Sequence, residues 1–221
     1  MGLLSMSELG SSSRSAVEEN KRLAELVALL AHEIDLARVA PEKRLTFTQV
    51  CRLIKADKTE VEAVVTAIQA RGLLIVEGET VVIAPIDCAQ LVLRLGQRVV
   101  VEQAIAHAAA SRISDTYSGS MIEEIAMLKR SAMVGDIDGY IAADRRLERI
   151  IGLASGLPDK AEELATMKRE FRRAWCTYNR LRDLNIPAKL RQTLVEAIVA
   201  GQPEAATAAV QHFNDYLKQS L

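Results

Sequence analysis

Ile54-Lys-Ala-Asp-Lys-Thr-Glu-Val61, followed by Arg71-Gly-Leu-Leu-Ile-Val76 and Val81-Val-Ile83, decides the fold of the first half of the chain. Lys55 to Lys58 is a polar turn, and Asp57 or Thr59 can cap the helix that begins there. Val61, Val64, Val65 and Ile68 repeat at helical spacing and predict a buried stripe ending near Arg71, with Gly72 as the residue that closes the helix. The next two runs are short and rich in β-branched residues, and Glu77-Gly-Glu-Thr80 lies between them, the pattern of a hairpin. Upstream, Leu23, Leu26, Val27, Leu30 and Ile34 predict a first helix that stops before Pro41. Val50, Leu53 and Ile54 predict a short second one. Helix, helix, turn, helix, hairpin is the order of a winged helix-turn-helix, here over 21–85.

Residues 1–20 contain Ser-Ser-Ser-Arg-Ser and little that packs, so they are expected to form a disordered tail. Beyond Pro85 the pattern is helical throughout. Six helices are expected: Asp87 to Arg112, Ser120 to Met133, Asp136 to Ala154, Asp159 to Leu184, Pro187 to Ala200 and Pro203 to Lys218. The fold class is therefore mainly α, with an all-α bundle spanning 86–221. The composition agrees: of 221 residues 49% are hydrophobic and 26% charged, and only 4% are aromatic, which favours helices over a sandwich or barrel. A formal net charge of −1 excludes a polybasic tail and an acidic disordered domain. No apolar run reaches 18 residues, so a membrane span is not expected. The start lacks the charged region of a signal peptide and the Ser or Thr at position 6 of a myristoylation site. Cys51, Cys88 and Cys176 are odd in number and lack metal-ligand spacing, which suggests reduced thiols in the cytoplasm.

The chain resembles the GntR family of bacterial transcription regulators, in the FadR subgroup with an FCD effector domain. Pro41-Glu-Lys-Arg-Leu45 resembles the family's Pro-Gly-x-x-Leu, and Ile54 to Val61 its Leu-Gly-Val-Ser-Arg-Thr-Pro-Val turn. Arg71 to Val76 resembles its Glu-Gly-Leu-Val strand. In the second half, Arg98-Val-Val-Val-Glu102, Asp144-Arg-Arg-Leu-Glu148 and Ala197-Ile-Val-Ala-Gly-Gln202 through His212 follow the family's helices in order. The resemblance implies a homodimer that binds operator DNA and senses a small organic acid in the bundle, with no membrane role. It also implies Lys58 and Thr59 in the major groove, with Arg44, Arg52 and Lys55 as candidates for the DNA backbone.

Departures from the family pattern are concentrated where function resides. Thr48, Glu62 and Glu77-Gly-Glu79 stand where relatives commonly place Arg or Gly residues that read DNA. Over 21–85 there are nine basic and nine acidic residues, a net of 9 − 9 = 0. Phosphate contacts supply most non-specific affinity, so DNA binding is expected to be weak, or lost in favour of a sensor that acts through protein contacts. In the bundle, relatives often hold a divalent metal with one Asp and three His. Those places here are Asp144, Glu148, Arg191 and His212. Asp144, Glu148 and His212 are a degenerate ligand set for Zn²⁺, Ni²⁺ or Mn²⁺, because Arg191 cannot ligate and repels a cation about 4 Å away by on the order of 4 kcal/mol per unit charge. No cofactor is therefore expected, and two readings remain. One is direct capture of a carboxylate by Arg98 and Arg191 with Asp144, Glu148 and His212 around it; the other is a closed ion-pair cluster. His107 and the run Lys168-Arg-Glu-Phe-Arg-Arg173 are expected at the surface, and Trp175 and Tyr178 in the packing. No nucleophile motif, phosphate loop or cofactor fingerprint points to an enzyme.

Overall fold

A computed structural model describes residues 6–178 and 183–220. The chain divides into two compact units, one ending at Ile86 and the other beginning at Asp87. The first contains α1 (Met6–Asp35), β1 (Arg44–Thr46), α2 (Phe47–Ile54), α3 (Lys58–Gln69), β2 (Leu74–Glu77) and β3 (Thr80–Ile83). Its core is built from the predicted stripes: Leu26, Leu30 and Ile34 of α1 meet Val61, Val65 and Ile68 of α3.

Both helices of the helix-turn-helix start on a capping box. Thr46 accepts from the Gln49 amide at 3.2 Å while the Gln49 side chain accepts from the Thr46 amide. Asp57 and Glu60 do the same for α3, each bond 2.9 Å. Lys55, at φ +53°, turns the chain between them. The strands form one antiparallel sheet in the order β1-β3-β2, with Arg44 opposite Val82 and Leu74 opposite Ile83. Gly78, at φ +61°, supplies the left-handed residue of the β2–β3 turn.

Two features differ from the sequence expectation. β1 was not anticipated, because three residues running straight into a helix carry no measurable alternation. Residues from Met6 onward extend α1 rather than forming a disordered tail. The segment has no proline, and its only glycine, Gly10, costs a helix about 1 kcal/mol. Helix is thus permitted to grow back from the stretch that packs.

The second unit holds α4 (Cys88–Ser111), α5 (Asp115–Val134), α6 (Ile137–Ser155), α7 (Pro158–Tyr178), α8 (Asn185–Val199) and α9 (Pro203–Ser220). The six predicted helices are present, α5 starting earlier than Ser120; the predicted end of the fourth, near Leu184, runs through 179–182, outside the described residues. Gly135 and Gly156, both left-handed, stop α5 and α6. Central to the bundle is α4, which packs on α6, α7, α8 and α9. Ile105, Met121, Leu147, Ile198 and Val210 form the centre of its core. Gly152 lets α6 approach α7: a Cβ there would lie 2.9 Å from that of Ala161.

Replacing Asp57 with Ala removes one capping acceptor and strands the Glu60 amide. Urea denaturation of the first unit is expected to show a loss of about 1 kcal/mol.

Candidate functional site

In the first unit the five residues expected at DNA are all exposed: Arg44, Arg52, Lys55, Lys58 and Thr59. Their charges are only partly available. Arg44 lies 2.6 Å from Glu77 at the sheet edge, and Lys58 4.0 Å from Glu62 one turn along α3. Arg52 and Lys55 have no ion pair among the described residues. Glu60, expected to repel phosphate, is occupied instead, since it closes the α3 capping box and accepts from Arg22 Nε at 3.2 Å.

In the second unit, five helices deliver charged or amide side chains to one buried point. Asp144 and Glu148, one turn apart on α6, face Arg191 of α8, which is only 2% exposed. Arg191 Nη2 donates to Glu148 Oε1 at 3.0 Å, and its Nε lies 2.8 Å from Asp144 Oδ1. From α4, Glu102 Oε1 sits 3.2 Å from Arg191 Nη1 and 2.5 Å from Lys168 Nζ of α7. Lys168 also reaches Glu148 Oε1 at 3.0 Å, and Arg172 reaches Glu148 Oε2 at 3.3 Å. Asn214 of α9 donates to Glu102 Oε2 at 3.2 Å. Guanidinium faces are covered by rings: Arg98 lies 4.8 Å from the Phe171 centroid and Arg191 4.0 Å from that of Phe213.

Three carboxylates (Glu102, Asp144, Glu148) thus meet four cations (Arg98, Lys168, Arg172, Arg191), a net of 4 − 3 = +1. The excess falls on Arg98. Among the described residues its one ion pair is with Glu102 at 3.4 Å, and its Nε has no aligned acceptor. Burial pulls the Arg98 pKa below its usual value, and the charge of Arg191 adds to that, against Glu102. Burial also pushes Glu148 up, but Lys168, Arg172 and Arg191 outweigh it and hold the carboxyl at about 2. For Glu102, Lys168, Arg98 and Arg191 overcome burial and keep it far below the carboxylate range. Asp144 goes the other way. Burial raises it and Glu148 adds to the rise, because its partner Arg191 is shared among three acids.

Beside Arg98 and Arg191 lies a cavity of about 60 Å³, walled by Tyr140, Trp175, Pro187 and Phe213. It has space for a few waters or one carboxylate-sized group. Tyr140 and Trp175 stack with centroids 6.4 Å apart, forming a flat apolar wall.

Of the predicted residues, Arg98, Asp144, Glu148 and Arg191 come together. His212 does not; it is exposed on α9. The inward stripe of that helix is Ala206, Val210, Phe213 and Leu217, and position 212 falls on the opposite side at about 100° per residue. Lys168 is likewise a correction: it is 4% exposed, and Arg173 is buried too, so the run is not a solvated face. Leu164, Phe171 and Trp175 mark the buried stripe of α7, and Lys168 lies on it. Sequence reasoning missed Glu102, Lys168, Arg172 and Asn214 as site residues, and that stripe was the available signal for Lys168. These residues do not fit a divalent ion. The oxygens of Asp144 and Glu148 are used by cations, His212 points away, and among the described residues no three His, Cys, Asp or Glu are placed to hold one.

Residues 95–215 match the profile of the FCD domain. The chain belongs to the FCD domain family. Solved structures with the same fold include McbR/YncC of E. coli, at 15% identity and a TM-score of 0.77, covering 89% of this chain and 97% of that one. A GntR transcriptional regulator from Rhodococcus sp. RHA1 gives 16%, 0.73, 90% and 97% respectively. Lar of Listeria monocytogenes gives 14%, 0.58, 90% and 95%. Comparison with curated proteins returned no match. The charge cluster, from Arg98 on α4 to Asn214 on α9, lies within the matched residues.

Acid should loosen this domain. Glu102 and Glu148 are depressed in the folded state, so their stabilisation is complete above the ordinary carboxylate pKa of 4.5 and is lost as pH falls from there towards 2. Asp144, being raised, takes up its proton in the folded state first and offsets part of the loss. The melting temperature is expected to fall steeply between about pH 4.5 and pH 3, followed by circular dichroism.

Proposed function

We propose that this FCD-domain protein is a ligand-responsive transcription regulator. It binds operator DNA as a homodimer through the winged helix-turn-helix at 21–85, and senses a small organic acid in the bundle at 86–221. The observation that carries the ligand reading is buried Arg98, paired with Glu102 at 3.4 Å but with no aligned acceptor at its Nε, beside a cavity with an apolar wall. A carboxylate there meets Arg98 and the outer face of the Arg191 cluster, with no metal as intermediary. Asp144 and Glu148 act by holding Arg191 in place. His212, remote from this cavity, has no part in it. The protein works in the cytoplasm, where its operator is.

Dimerisation is supported by α4, which carries Leu93 and Val100 at 72% and 66% exposure on either side of Gly96. Two-fold pairing also suits DNA, since a single winged helix reads too few base pairs. A second reading, a sensor that no longer binds DNA, is favoured by the zero net charge of 21–85 and by Glu62 beside Lys58.

Fluorescence anisotropy across a salt series separates the two. Retained DNA binding is expected to be weak, with a salt slope well below that of roughly six to ten phosphate contacts. Glu62→Arg should tighten non-specific binding, whereas no change would mean that α3 does not face DNA.

A thermal-shift screen of small mono- and dicarboxylates tests the sensor. A true ligand at about 100 times its dissociation constant adds roughly 2.7 kcal/mol of stability, and Arg98→Gln should remove the response. No stabilising acid in a broad screen would overturn the ligand reading.

A further inference from the structure

The charge cluster has a second side. Next to the small cavity, with which it shares Glu148, Lys168, Arg172 and Arg191, lies a groove of about 1080 Å³ between α6 and α7 with α4 and α8 at its base, narrowed where Gly152 meets Ala161. It is far larger than a short organic acid needs, and lies at the upper end of small-molecule sites.

Its walls are unusually basic. Arg145 and Arg149 stand one turn apart on α6; Arg169 and Arg172 stand on α7, and Lys168 and Arg191 form part of the floor. Arg146 also lines it but is paired with Glu124 at 2.7 Å. The acids present are Glu102, Glu148 and Glu162. Lys168, Arg172 and Arg191 are matched by Glu102, Asp144 and Glu148, so with Arg146 set aside Arg145, Arg149 and Arg169 face Glu162, an excess of 3 − 1 = +2. Arg145, Arg149 and Arg169 have no ion pair among the described residues, although Arg145 and Arg149 lie a turn apart and repel each other. Such an arrangement costs stability unless an anion bridges them. Along α6 past Arg149 the lining turns apolar at Leu153, which is 59% exposed, with Ile151 and Pro158 beside it in the lining.

We propose that this groove is a second ligand site, which takes an oligophosphate carried on a ring system, as in a nucleoside triphosphate. Three neighbouring phosphoryl groups supply between about three and four negative charges in a short array, more than enough for the three unpaired arginines, and guanidinium forks engage such oxygens in pairs. The apolar end receives the ring. A tricarboxylate has the charge but leaves most of the volume empty. The site does not depend on the small-acid reading, since Arg145, Arg149 and Arg169 do not line the other cavity.

Isothermal titration of the full chain, in magnesium-free buffer, tests the proposal with ATP, inorganic tripolyphosphate, adenosine and citrate. ATP is expected to bind with one equivalent per chain, adenosine not detectably below about 1 mM, and tripolyphosphate and citrate at least roughly 10-fold more weakly than ATP. The double variant Arg145→Gln, Arg149→Gln alters only exposed side chains. Without ligand it should melt at or slightly above the wild-type temperature, because the repulsion is gone, and it should lose roughly 100-fold or more in ATP affinity, about tenfold for each charge-assisted bond. Failure of both ATP and tripolyphosphate to bind below about 1 mM would overturn the site, as would unchanged ATP affinity in the double variant. Citrate or tripolyphosphate binding as tightly as ATP would overturn the role of the ring.

Discussion

Arg191 is the interaction on which the second unit depends. One guanidinium, sealed under Phe213, is held by acids from α4 and α6, and those acids are shared with Lys168 and Arg172 of α7. Bringing these ions out of water costs several kcal/mol each, and only near-complete mutual pairing offsets that. Near-complete is the operative condition. Helices α4, α6, α7 and α8 must all be in place for the acids and cations to meet, so the cluster fixes their relative register more firmly than apolar packing alone. The same requirement leaves Arg98 with too few partners, and an incompletely paired buried cation is how a protein interior presents a positive site without a metal.

Sequence legibility followed the hydrophobic stripes. Those of α1 and α3, the capping position at Asp57, the hairpin and the six bundle helices could all be read, since each rests on local periodicity or a local turn. β1 could not, because its partner β3 is distant in sequence and three residues carry no pattern. At the site, Asp144 and Glu148 were visible as a pair on one helix face. His212 was misplaced by following a family position when the phase of α9 already put it outside. Lys168 was misjudged because a charged run usually means solvent. What brings Lys168 and Glu102 together is tertiary: two acids on different helices make burial of an ammonium tolerable, and no local rule reports that.

The first unit shows how a carboxylate's role depends on its partners. Glu60 and Glu62 are two residues apart on α3, yet Glu60 is consumed by the backbone of Asp57 and by Arg22, while Glu62 meets solvent and Lys58. Charge counts treat them alike. Only Glu62 presents a free acidic face, and Arg22, by also donating to the Lys55 carbonyl at 3.3 Å, fastens α1 to the turn that starts α3.

The shared acids around Arg191 also constrain how this sequence can drift. A histidine at position 191 would leave Glu102, Asp144 and Glu148 short of a cation, and neutralising any one of the acids would unbalance the remaining cations. Each single step passes through an intermediate with an unpaired buried charge, which typically costs about 3–5 kcal/mol, a large share of a domain's total stability. Exchange between an arginine-filled and a metal-filled interior therefore requires coordinated changes on several helices. Lineages on either side of that barrier are expected to stay there, diverging freely in their surface residues while the interior chemistry remains fixed.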